Sequence, residues 1–215
     1  MKKTLITRPK DQGLLFAQQV GGGVDGFLFE PLIEINHLNI ALPDFDIYDG
    51  IITTSRHAKD IVPKGVHCYS VGDYAPTASD LADKIISDNQ NKKLLYIRGK
   101  DIAFDMRRAL KNHQIDELIS YEAVASASLS AEAIDAFKNH EIGEVVFFSK
   151  RTAEIFVKLA IKHGILDNIG NAKALCISDS VVECLHSIFE GDNIEVSYYP
   201  DVCAMARMVN NIRGS

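Results

Sequence analysis

The feature that most constrains this chain is a repeated alternation between short, continuously apolar runs and stretches with helical spacing. Ile51-Ile52, Leu94-Leu95-Tyr96-Ile97 and Val145-Val146-Phe147-Phe148 are apolar at successive positions. That is the pattern of strands covered on both faces rather than on one. Between such runs the period changes. Ala78, Leu81, Ala82, Ile85 and Ile86 fall on one helical stripe, and Ile102, Met106, Ala109 and Leu110 on a second. Val181, Leu185, Ile188 and Phe189 form a third, with Ile134 and Phe137 a short fourth. Strands are expected at 3–7, 26–29, 49–53, 66–70, 94–97, 144–148, 174–177 and 195–198. Strand–helix–strand alternation implies crossover connections and therefore parallel sheets. The expected class is α/β, with parallel sheets flanked by helices.

Two segments break the rhythm. Residues 31–38 (PLIEINHL) and 118–126 (LISYEAVAS) alternate apolar and polar side chains but lead into no helix. Paired with each other, they would make a two-stranded β-ladder tethering two domains. An inserted, shortened α/β domain would then span 37–122. Residues 1–36 and 123–215 would form a discontinuous second domain. As edge strands of one sheet they would satisfy the same periodicity, and periodicity alone does not choose.

Composition removes several classes of function. Lys and Arg total 23 against 29 Asp and Glu, a formal net charge of −6, which argues against a general nucleic-acid binder. The apolar runs are strand-length, far short of the roughly 20 residues of a membrane span. The start Met1-Lys2-Lys3 turns polar by Thr7-Arg8-Pro9, too soon for a signal peptide. The expectation is a cytoplasmic monomer with no membrane or nucleic-acid partner. Cys68, Cys176, Cys184 and Cys203 form no CxxC pair, and their apolar neighbours suggest buried free thiols. The seven histidines make no HxxxH or HExxH, so no metal is expected. His113, His140 and His163 fall near helix ends, where they complement the dipole. Gly21-Gly22-Gly23 follows a helical pattern and reads as a helix stop, and neither GxGxxG nor GxxxxGK[ST] opens a helix after a strand. No GxSxG elbow supplies a nucleophile. What remains is noncovalent chemistry or binding without a cofactor.

The strand exits carry the strongest positive signal. Ligands of open parallel sheets bind beyond the strands' carboxyl ends. The successive exits here are Thr7-Arg8-Pro9, Thr54-Ser55, Val71-Gly72-Asp73, Arg98-Gly99-Lys100, Ser149-Lys150-Arg151 and Ile177-Ser178-Asp179. Any one of these is explained by helix capping. Six together, several with an adjacent cation, fit a rim that receives a carboxylate-rich ligand through hydroxyls, amides and local positive charge. Arg8, Thr54, Ser55, Gly72, Arg98, Ser149, Lys150 and Ser178 are the candidate binding residues. Tyr121, in the second tether segment, is the best titratable candidate, facing whatever cleft two domains would enclose. From the residues alone, an amphipathic aromatic packed at a hinge accounts for it more simply.

These segments, in order, resemble the uroporphyrinogen-III synthase family. The resemblance rests on LITRP, EPLIEI, DGIITTS, SVGD, LLYIRG, SYEAVA, VVFFSKRTAEIF, ALCIS and VSYYPDVCAMARMV, which are collinear over nearly the whole chain. It implies two α/β domains on a two-stranded ladder, and a cofactor-free lyase. That enzyme takes linear hydroxymethylbilane, removes water from its hydroxymethyl end, inverts ring D through a spiro intermediate and closes the macrocycle. By similarity, Tyr121 is the position that helps the hydroxyl leave. Thr54, Ser55 and Ser149 match the family's cleft hydroxyls, Lys150 and Arg151 stand where they could meet carboxylates, and Arg8 matches a position near the first strand exit. Two departures stand out. Val71-Gly72-Asp73-Tyr74-Ala75-Pro76-Thr77 replaces the usual VGxxTA, assigning Thr77 to the next helix, and Ser178 and Val181 replace the glycine and threonine of a second copy. The alternative is a noncatalytic tetrapyrrole- or anion-binding module on the same scaffold.

Overall fold

A computed structural model describes residues 2–21, 23–88, 91–170 and 172–214. Gly22, part of the expected helix stop, and Met1 lie outside the described residues. In chain order the elements are β1 (Lys3–Ile6), α1 (Lys10–Val20), β2 (Phe27–Phe29), β3 (Ile33–His37), β4 (Gly50–Thr53), α2 (Arg56–Lys59) and β5 (Cys68–Ser70). There follow α3 (Ala78–Ser87), β6 (Lys93–Gly99), α4 (Met106–Ala109), β7 (Gln114–Ala125), α5 (Ala131–Lys138), β8 (Ile142–Phe147) and α6 (Lys150–Lys162). The chain closes with α7 (Leu166–Ile169), β9 (Lys173–Cys176), α8 (Asp179–Leu185), β10 (Ile194–Val196) and α9 (Val202–Arg213). The class is α/β, and every expected strand is present in at least part of its span.

The chain divides into two compact units. The larger comprises Met1–Glu34 and Val124–Ser215, and the smaller Ile35–Ala123. The larger unit's sheet runs β10-β9-β8-β1-β2, with all pairings parallel. Its centre, β8, is buried at every position, which is why its apolar run is continuous rather than alternating. Successive side chains of β8 point to opposite faces and feed different cores. Val145 and Phe147 pack with Phe137, Phe156 and Phe189 beneath α5, α6 and α8, while Val146 packs with Phe16, Met205 and Val209 beneath α1 and α9.

The smaller unit's sheet runs β3-β7-β6-β4-β5. Strands β5, β4, β6 and β7 are mutually parallel along that order. The same alternation divides its core: Ile52, Leu94 and Tyr96 join Leu81, Ile85 and Met106, and Ile51, Leu95 and Ile97 join Ala58. Strand β3 is antiparallel to β7, since the Leu38 N–H donates to the Ser120 carbonyl at 2.9 Å and the Ser126 N–H to the Leu32 carbonyl at 2.9 Å. The sheet is therefore mixed, a refinement of the all-parallel expectation.

Three local expectations need correction. The stripe beginning at Ile102 forms a helix only from Met106, because the Asp105 carboxylate caps there by accepting the Arg108 N–H, and Ile102 is exposed. The second tether segment starts at Gln114 rather than 118, and lies inside the sheet between β3 and β6. Its polar first residues are drawn in by parallel pairing with β6, Gln114 opposite Lys93. Of the cysteines, all free, only Cys176 is buried and Cys203 is exposed. On a helix, apolar sequence neighbours of Cys203 do not share its face. Burial pushes the Cys176 thiol up to about 12, so it is inert. His163 closes α6, and its Nε2 accepts the Leu129 N–H at 3.2 Å.

Candidate functional site

Parallel pairing brings the strand exits of each unit to one sheet edge. In the smaller unit the order along that edge is Gly72 after β5, Thr54-Ser55 after β4, Arg98-Gly99 closing β6, and Tyr121 on β7, opposite Gly99. The sheet thus places five of the sequence-derived residues side by side.

Their local roles differ. Ser55 has extended backbone before α2 and its hydroxyl accepts the His57 N–H at 3.3 Å. The Thr54 hydroxyl lies 2.9 Å from that of Tyr96, whose phenol is pushed up by burial and only partly relieved by this hydrogen bond. Gly72 has φ of +97°, a conformation that favours glycine, and its N–H is engaged by the Ala75 carbonyl at 2.8 Å. Gly72 therefore supplies a turn rather than a donor. Beside it, the Asp73 carboxylate is held below the usual carboxylate range by hydrogen bonds from Lys59 and then Ser70. Arg98 is also committed: Nε donates to Glu117 at 2.9 Å, and one terminal nitrogen donates to the Gly99 and Lys100 carbonyls at 2.9 and 3.2 Å. It braces β6 against β7, and a ligand carboxylate would have to compete with Glu117. Thr77 caps α3, its hydroxyl accepting the Asp80 N–H at 3.2 Å.

Tyr121 is half-buried and its ring lies over Gly99. A Cβ on Gly99 would stand 2.8 Å from two ring carbons and 3.0 Å from the hydroxyl, so glycine is what admits the ring. The His57 ring centroid lies 5.6 Å from that of Tyr121, and that of His37 6.4 Å away. The two imidazoles are 6.3 Å apart. Sequence reasoning missed both histidines, which are 20 residues apart. One signal was present: His57 follows the capping Ser55 by two, and His37 ends the first tether strand.

The larger unit orders its own edge as Ser197 to Tyr199, Ser178, Ser149-Lys150 and Arg8. Ser149 caps α6 by accepting the Thr152 N–H at 3.2 Å, and its hydroxyl meets that of Thr152 at 2.7 Å. Ser178 precedes α8 without a side-chain cap, and its hydroxyl meets Ser180 at 3.0 Å. Arg8 lays its guanidinium over the Phe148 ring, 4.3 Å from the centroid, a contact that fixes the cation at the exits of β1 and β8. Lys150 is exposed and borders an open groove between α6 and α8 with Glu154, Lys158 and Glu183. Tyr198 and Tyr199 were not anticipated. They are 88% and 57% exposed, stand edge to face at 4.7 Å and border a shallow cleft with Arg207 and Asn211. Among the described residues, no group of three or more His, Cys, Asp or Glu is placed to hold a metal ion, and no helix is long and apolar enough to cross a membrane.

A family model described as uroporphyrinogen-III synthase HemD matches residues 63–210, more than half of the chain. A comparison with curated protein sequences found no match. Among solved structures, that of uroporphyrinogen-III synthetase from Helicobacter pylori 26695 aligns at a TM-score of 0.66 and 17% identity, covering 99% of this chain and 100% of that one. A mutant uroporphyrinogen III synthase from the extremely thermophilic bacterium Thermus thermophilus aligns at 0.45 and 12% identity over 100% of both chains. The first likeness is one of fold.

Proposed function

The chain belongs to the uroporphyrinogen-III synthase family, a family of lyases in porphyrin and heme synthesis, and on that footing we propose that it cyclises hydroxymethylbilane to uroporphyrinogen III. The reaction removes one water, inverts ring D and forms carbon–carbon bonds without net oxidation or reduction, so it requires no redox cofactor. The pyrrole is itself the nucleophile. What the protein must add is assistance to the departing hydroxyl and restriction of the chain to one mode of closure.

The observation that carries this assignment to residues is the placement of Tyr121. Its phenol lies at the carboxyl edge of the smaller unit's sheet, on a glycine that leaves room for it, with Thr54 and Ser55 on the same edge. As the bond from the hydroxymethyl carbon to oxygen breaks, electrons come from the terminal pyrrole. The Tyr121 hydroxyl gives its proton to the leaving oxygen, and the pyrrole N–H restores it. Thr54 and Ser55 then serve as neutral donors to substrate carboxylates. Ser149 and Ser178 do the same along the larger unit's edge, where Arg8 and Lys150 add charged donors. Gly72 contributes the turn that shapes the rim, and Arg98 contributes rigidity through Glu117. The enzyme acts as a cytoplasmic monomer in this scheme. Incubation of the purified protein with hydroxymethylbilane, followed by separation of the isomers, tests it. The type III isomer is expected to predominate; type I alone, the product of spontaneous closure, would overturn the assignment.

A further inference from the structure

His37, at the end of β3, and His57, on α2, flank the Tyr121 ring and have no part in the scheme above. All three belong to the smaller unit. Tyr121 and His57 are half-buried and His37 is exposed, so solvent and ligand reach the cluster. The His57 ring meets that of Tyr121 at an interplanar angle of 61° and that of His37 at 66°. These are edge-to-face contacts, close enough for a charged imidazole to act on the phenol ring.

We propose that His57 and His37 are positioning residues for Tyr121, and that the three rings form one packed cluster in which an imidazolium supports the phenol as proton donor. This rests on the proposed cyclisation. When Tyr121 gives its proton to the leaving oxygen, negative charge grows on the phenolate oxygen, and a neighbouring imidazolium stabilises it. No proton passes to or from the histidines in the step. Their charge and their packing, with Gly99 beneath the ring, are what they supply.

The charged groups around the pair lie on α2, β3, β6 and β7. Beside His57, α2 carries Arg56, which stays charged, and Lys59, which pairs with Asp73. On β6 and its exit, Arg98 pairs with Glu117 and Lys100 with Glu122, both carboxylates from β7. Glu34 shares the strand of His37. The imidazoles are thus the groups on these elements whose charge ordinarily changes between pH 5 and 8. Their ring centroids stand 6.3 Å apart.

The test pairs a pH–rate profile with an NMR titration of the imidazole C–H resonances, in the wild type, His57→Gln, His37→Gln and Tyr121→Phe. Wild-type kcat for type III product should rise as pH falls from 8 towards 6. In His57→Gln this limb should flatten, with kcat about tenfold lower near pH 6 and KM within about twofold. The His37 midpoint should move in His57→Gln, and the His57 midpoint in Tyr121→Phe, a readout that survives if one variant fails to fold. A His57→Gln profile of wild-type shape, merely scaled down, would overturn the proposal, as would midpoints indifferent to the substitutions. If the wild type yields only type I, the assigned reaction falls instead, and the midpoints alone decide whether the rings act as one.

Discussion

The larger unit clothes both faces of its sheet with long helices, α6 running Lys150–Lys162 and α9 Val202–Arg213. Among the described residues of the smaller unit, α2 and α4 have four residues each, and only α3 is longer. Phenylalanines dominate the first core: Phe156 lies 5.3 Å from Phe147, 5.8 Å from Phe137 and 6.4 Å from Phe189. Tyrosines take that place in the second, and their hydroxyls need partners, as Tyr96 finds in Thr54 and Tyr69 in Lys92. Tyr96 meets Thr54 just beyond the end of β4, whereas Tyr69 meets Lys92 just before the start of β6. In the proposed reaction the larger unit supplies binding residues from a phenylalanine-rich fold, and the smaller unit supplies the proton donor.

Substitution can sharpen or break that contrast. The largest effect is expected in the larger unit. Phe156→Ala removes a ring with no exposed surface from the centre of its cluster, and should destabilise that unit by about 3–5 kcal/mol. Hydrogen exchange would show β8 amides losing protection while those of β6 keep theirs; equal loss in both strands would erase the distinction between cores. Gly99→Ala should act the other way round. The added methyl would displace the tip of the Tyr121 ring, lowering kcat by about 10–100-fold with a thermal midpoint close to that of the wild type. A stable, fully active variant would show that the ring's seat is irrelevant.

The smallest effect concerns His113, whose imidazole is held below its ordinary value by burial and then by Lys92. Its Nδ1 accepts the Lys92 N–H at 3.3 Å, which only the unprotonated ring nitrogen can do. The folded state therefore disfavours the charged form. The unfolded chain takes up the proton first, so this stability is present above about pH 6.5 and is lost as pH falls through the folded value. Because the group is half-exposed, the loss should stay below about 1 kcal/mol. Urea midpoints between pH 7 and 5 should fall for the wild type and flatten for His113→Gln.

Much of the fold was legible because burial on both faces leaves continuous apolar runs, as in Val145–Phe147, and because Ser55, Ser149 and Thr77 sit where helices begin. The start of β7 was not legible. Gln114, Asp116 and Glu117 look like a loop in isolation, and become strand only when β6 offers a parallel partner. The site divides the same way. Strand exits can be enumerated from sequence, and so the edge residues were found. That Arg98 is spent on Glu117, 19 positions away, or that His37 and His57 converge on Tyr121, depends on pairing between distant segments. Local patterns put His57 beside a helix cap and His37 at a strand end, but not next to Tyr121.

The most direct measurement is a steady-state comparison of type III formation by Tyr121→Phe with that by Ser149→Ala and Ser178→Ala. Loss of the phenolic hydroxyl should lower kcat about 100-fold or more with little change in KM, whereas the larger unit's substitutions should chiefly raise KM. Wild-type turnover by Tyr121→Phe would contradict the assignment of proton donation to the smaller unit's edge.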